Sequence, residues 1–197
     1  MENIENNRLI DRVIEALKKS AVEMEKFQVK VALGKAEAKD SFEEIKKKLN
    51  LFIHETKFKI KSGKDKVDDV NAKLDELRVQ LNLGKAESIE TFHLQKKRLL
   101  LTIHELEVKI RSNDKLKKMY AIVLIEIETF KIQLEILEIK WKENMVKSKL
   151  SFKKNKEIFY EFIEKLKVKY AKKKETKWEH FHNEVSQAFN HLKQAFN

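Results

Sequence analysis

Apolar positions recur in steps of three and four through Ile10, Ile14, Leu17, Ala21, Met24, Phe27, Val31, Ala38, Phe42, Ile45, Leu49 and Phe52, with Gly34 on the same line. That spacing gathers them on one side of a helix and predicts a coiled-coil-like seam from about Ile4 to Lys61. Ser62-Gly63-Lys64 stops it, and Asp65 can cap the next helix. A second seam follows, roughly Lys66 to Arg111, through Leu74, Leu77, Leu81, Gly84, Ser88, Phe92, Gln95, Leu99, Leu106 and Ile110, ending at Ser112-Asn113-Asp114. A third helix is expected from Lys115 to about Lys173. Short connections make neighbouring helices antiparallel, each roughly 70 to 90 Å long. A last helix opens near Thr176, with Glu179 completing a capping box. Its apolar face is Trp178, Phe181, Val185, Phe189, Leu192 and Phe196, which is expected to dock on the bundle or cover a neighbouring subunit. The fold expected is all-α: an elongated antiparallel three-helix bundle over residues 1–175, then an amphipathic helix over 176–197.

An internal repeat supports this reading. Leu33-Gly-Lys-Ala-Glu37 returns unchanged at Leu83 to Glu87, and without gaps Phe42 matches Phe92, Lys46-Lys47 matches Lys96-Lys97, and Ile53-His54-Glu55 matches Ile103-His104-Glu105. A period of this length marks a supersecondary unit used more than once. The copies span about 15–63, 65–113 and 125–173, and in the third the Gly-Lys-Ala-Glu core has become Asn144-Met145-Val146-Lys147. Glycine inside a helix costs about 1 kcal/mol relative to alanine. Close backbone approach at Gly34 and Gly84 would offset that cost; the plainer alternative is a tolerated glycine in an exposed turn.

Phe27 to Leu33, Leu77 to Leu83 and Ile132 to Ile139 also alternate as strands do. The seam running through each segment favours helix, and on a helix residues two apart point nearly opposite ways. Val29, Leu33 and Ala36 then form a second stripe, as do Val79, Leu83 and Ala86, and Ile122, Ile125, Ile132, Ile136 and Ile139. A three-helix bundle buries one face per helix. Self-association, with a homodimer favoured, is therefore expected through Val29, Leu33, Val79, Leu83, Ile132, Ile136 and Ile139.

Composition sharpens the picture. Charged residues make up 38%, with no proline and three glycines, the signature of long helices. The absence of cysteine excludes disulfides and thiolate metal sites and suits a reducing compartment. The opening residues lack a secretory pattern, and no run reaches the ~18 apolar residues of a membrane span. A soluble cytoplasmic protein is expected. The net charge of +11 is uneven, with Lys147 to Lys177 especially lysine-rich. In an antiparallel rod, Lys61, Lys64 and Lys66 lie at the same pole as Lys167, Lys169, Lys172, Lys173 and Lys174. Such a cluster beside an amphipathic tail suits an anionic membrane surface; nonspecific nucleic-acid contact is a further possibility without a recognition motif. A solvated lysine-rich face is the bland account of the same residues.

Gly34-Lys35 and Gly84-Lys85 lack the other parts of a phosphate loop. His54 and His104 have no second ligand one turn away, while His180, His182 and His191 form no four-ligand set. Carboxylates fall as helical partners of lysines. No catalytic residue, cofactor or metal site is assigned, and a non-enzymatic protein is expected.

The repeated Leu-Gly-Lys-Ala-Glu followed by Phe and paired lysines, with the tail from Lys177-Trp178 to Gln194-Ala195-Phe196, resembles a family of bacterial coiled-coil stress-response proteins. The likeness covers most of the chain and implies a soluble, non-enzymatic coiled-coil protein linked to stress. It supplies no catalytic residues. The second tail tryptophan usual in the family is Phe189 here, and the third repeat has lost its Gly-Lys-Ala-Glu.

Overall fold

The computed structural model describes residues 2–59, 65–141, 157, 160–161, 163–166, 168, 170 and 183–190. All its regular structure is helical: α1 (Glu2–Ala32), α2 (Lys35–Lys59), α3 (Asp65–Leu81), α4 (Ile89–Arg111), α5 (Asp114–Met119) and α6 (Ala121–Trp141), with helical residues among 157–170 and over 183–190. No strand occurs among the described residues. Among the described residues no helix is long and apolar enough to cross a membrane.

Helicity follows the seams, but continuity does not. The first predicted helix breaks at Leu33-Gly34, the second over residues 82–88, and the third at Tyr120. The two copies of Leu-Gly-Lys-Ala-Glu break differently, for a reason that lies in one residue. After Gly34 the helix restarts at once, and the amide of Ala38 donates to the Gly34 carbonyl at 3.2 Å. At the matching position of the second copy stands Ser88, extended at φ −120°, whose hydroxyl accepts from the Thr91 amide at 3.2 Å. A serine can cap a helix where an alanine cannot, so α4 starts later, with Glu90 in its first turn suited to the helix dipole. Asn113 likewise caps α5, accepting from the Lys115 and Leu116 amides.

The expected close backbone approach at the glycines is not found. A side chain at Gly84 would meet nothing within 4 Å, and one at Gly34 would meet only the carboxylate of Glu37. Gly84 lies exposed in the irregular segment between α3 and α4. The simpler alternative describes it.

The chain divides into two compact units, residues 1–26 with 142–197, and Phe27–Trp141. This division cuts through the first repeat and does not follow the 175/176 boundary read from the sequence. In the first unit α1 buries Ile10, Val13, Ile14, Leu17, Ala21 and Met24, and Ile163, Leu166, Tyr170, Val185, Ala188 and Phe189 are also buried. Lys18 reaches Glu164 at 3.3 Å.

In the second unit α2, α3, α4 and α6 pack in a ring, each against the next, with α5 linking α4 to α6. Lys57 meets Asp75 while Asn50 meets Asn82, which runs α3 antiparallel to α2. Lys73 meets Glu105 and Lys109 meets Asp69 across α3 and α4; Lys96 meets Glu138 and Lys131 meets Glu107 across α4 and α6. Helix α6 is apolar on nearly every side, and a helix of that kind is stable only when enclosed. Val123, Leu124, Ile125, Ile127, Phe130, Ile132, Leu134, Ile136 and Leu137 are all buried.

Candidate functional site

Lys46 is the most deeply buried charged side chain among the described residues, 1% exposed. It stands one helical turn after Phe42 on α2, so both face inward. Phe42 meets Phe92 edge-on with centroids 5.0 Å apart, and Phe92 lies 4.4 Å from Trp141. The Lys46 Nζ sits 4.8 Å from the Phe42 ring centre, on the electron-rich face. It donates to the Leu83 carbonyl at 2.9 Å and to Gln95 Oε1 at 3.2 Å, with the Gly84 carbonyl at 3.5 Å and Glu43 Oε1 at 3.0 Å. Gln95 Nε2 donates to the same Gly84 carbonyl at 2.6 Å, and Lys39 to the Glu87 carbonyl at 2.7 Å.

Burying an ammonium is costly unless it is paired and hydrogen-bonded throughout. Here each requirement is met by oxygens of the 82–88 loop, Gln95 and Glu43. A lysine that attacks a substrate needs a free amine lone pair facing open space, whereas this one points its protons at the carbonyls of the 82–88 loop and at Gln95. The arrangement is a clamp: it holds the carbonyls that the helix break releases.

A second polar cluster joins α4 to α6. Lys131 contacts Glu107 at 3.2 Å and Glu128 at 3.0 Å, and Arg111 approaches Glu128 at 3.7 Å. Burial raises the Glu107 carboxyl above its ordinary range, against the pull of Lys131 and with the neighbouring Glu128 adding to the rise. For Lys131 burial works downward, but Glu128 and Glu107 together raise it. Tyr120, fully buried between α5 and α6, donates to Asn71 Oδ1 at 3.2 Å, and burial pushes its phenol up to about 12.

The self-association face expected from the sequence is redistributed by the fold. Val29, Leu33 and Val79 are exposed, at 68%, 74% and 63%. Leu83 and Ile139 are half-buried. Ile132 and Ile136 are a correction: both are enclosed within the chain's own core, because α6 occupies a place in the ring between α2 and α4. The exposed members are also not contiguous. Val79 lies level with the second half of α2, whereas Leu33 precedes its start, a separation of roughly 30 Å along that helix.

Of the basic cluster, Lys66 is exposed in the first turn of α3; Lys61, Lys64, Lys167, Lys169, Lys172, Lys173 and Lys174 lie outside the described residues. On the tail, Val185 and Phe189 are buried with Ala188, while Trp178, Phe181, Leu192 and Phe196 lie outside the described residues. His54 and His104 are exposed on α2 and α4, and no group of three potential metal-binding side chains occurs among the described residues. His180, His182 and His191 lie outside them.

One surface escaped the sequence reading. Leu94, Leu101 and Val108 on α4 are 51%, 61% and 55% exposed. Their seven-residue spacing was legible, but it runs along the side of α4 opposite the seam.

The packing defines an all-helical chain with bundle-like units. No protein-family model, curated protein or solved structure matches it.

Proposed function

We propose that this is a non-enzymatic helical interaction protein that works by associating with copies of itself. The observation that carries this reading is the set of apolar side chains left more than half exposed on α1, α3 and α4 and at the break after α1: Val29, Leu33, Val79, Leu94, Leu101 and Val108. Single exposed apolar residues are ordinary, but a row of them on one helix marks an interaction surface. The buried lysine supports the same reading, since its ammonium is occupied in holding a loop. The likeness of the repeat and tail to coiled-coil stress-response proteins supports a role for that association under stress.

The test is the mass of the purified chain by analytical ultracentrifugation across a wide concentration range. A dimer or higher species that dissociates on dilution is expected. A monomer mass at every concentration overturns the reading.

A further inference from the structure

We infer that the outer face of α4 is the surface on which a second copy of the chain docks, antiparallel, with Leu101 on the two-fold axis. This rests on the self-association reading above and says where the contact is made.

Leu94, Leu101 and Val108 are spaced by seven residues, so they form one straight row about 21 Å long on the helix. The row is symmetric about its centre: turning a copy end over end about Leu101 lays Leu94 level with Val108 and Leu101 on itself. Self-complementarity of this kind is what a two-fold interface requires. The opposite face of α4 is already taken, since Phe92, Gln95, Leu99, Ile103, Leu106 and Ile110 are buried in the chain's own core.

Charge selects the direction. Glu90 lies in the first turn of α4 and Lys109 and Arg111 in the last, so antiparallel docking sets the acidic end of one copy beside the basic end of the other. Parallel docking would set like against like. Arg98 and Glu105 follow Leu94 and Leu101 by four residues each, on the same flank of the row. In the antiparallel arrangement Arg98 lies within one residue, about 1.5 Å, of the level of Glu105 of the second copy, on the flank where interhelical ion pairs form. Arg98 is exposed and pairs with none of the described residues; Lys73 occupies Oε2 of Glu105. On the other flank Lys97 falls beside His104 of the second copy. Few large side chains take part, so the dimer is weak and concentration-dependent.

The native chain has no cysteine, which makes cross-linking clean. Leu101→Cys places a thiol on the axis, and mild oxidation is expected to give a covalent dimer. Leu94→Cys alone is expected not to, because its two copies would stand roughly 20 Å apart, whereas a mixture of Leu94→Cys and Val108→Cys chains cross-links. Leu101→Arg, at an exposed position with an unchanged thermal melt, is expected to weaken dimerisation about thirtyfold or more. If the native chain dimerises but Leu101→Arg dimerises equally well, or Leu94→Cys alone links as fast as Leu101→Cys, the α4 surface is wrong while self-association stands. A native chain that is monomeric throughout removes both.

Discussion

The ammonium of Lys46 and the side-chain oxygen of Gln95 lie 3.2 Å apart, and both side chains bond the carbonyl of Gly84. They come from α2, which begins inside the first copy of the repeated pentapeptide, and α4, which follows the second. The first repeat thus supplies the lysine that stabilises the helix break in the second. In the second repeat the equivalent lysine, Lys96, serves a different partner, Glu138 on α6 at 2.5 Å.

Removing the Lys46 ammonium should expose the cost of that loop. Lys46→Met keeps the apolar stem in its pocket but leaves the Leu83 carbonyl and the Gln95 amide oxygen without their donor and Glu43 without its ion-pair partner. A loss of about 2 to 4 kcal/mol is expected, read as a lowered urea midpoint. The same change at exposed Lys97 should stay within about 0.5 kcal/mol. Equal effects at the two sites would show that the buried ammonium contributes nothing.

The repeated glycines should be replaceable. At Gly84 a methyl group meets open space and the backbone is not left-handed, so Gly84→Ala should be neutral or stabilising by up to about 1 kcal/mol through the unfolded chain. Gly34→Ala requires only that the flexible Glu37 side chain swing away. Thermal melts falling by several degrees for Gly84→Ala would revive the idea of a close backbone contact.

Ile136 and Val79 looked alike as members of a second apolar stripe, and the fold separates them. Ile136→Asp places a carboxylate in the core of the second unit and is expected to cost at least about 4 kcal/mol. Val79→Asp, on an exposed position of α3, should fold normally with a change within about 0.5 kcal/mol. Circular dichroism on both variants decides the point, and a folded Ile136→Asp chain would contradict the enclosure of α6.

Glu107 gives stability a pH dependence of known sign. Burial raises its folded pKa above the ordinary 4.5, so the folded chain holds that proton more tightly than the unfolded one. Its contribution is fully present below the ordinary value and fades as pH rises through the raised one. Glu107→Gln cannot lose a proton, so its melting temperature relative to the native chain should improve between about pH 4 and pH 7. Half-buried Glu105 runs the other way: its hydrogen bond from Lys73 lowers its pKa, and that contribution is lost as pH falls in both chains alike. Melting curves that keep a constant separation across this range would remove Glu107 as the source.

Much of the candidate surface was hidden for a simple reason. Reading α4 from its seam through Phe92, Gln95 and Leu99 identifies what the helix buries, and it passes over Leu94, Leu101 and Val108 on the other side. The delayed start of α4 was more accessible, since Ser88 followed three residues later by Thr91, with Glu90 between, carries capping chemistry. The seam through Gly84 and Ser88 masked it, because a periodic apolar row is indifferent to a short interruption of the helix.

By itself the sequence determined that this chain is helical, where most helices face inward, and that its apolar surface exceeds one stripe per helix. Those properties are local, set by residue spacing within a few turns. Only the tertiary structure decided where the long helices break and which of the surplus apolar residues stay in water. The Leu83 and Gly84 carbonyls are held by Lys46, distant in sequence, and Ile132 and Ile136 are covered because α6 lies between α2 and α4. Both outcomes depend on which helices become neighbours, and that is a property of the packed ring rather than of any one segment.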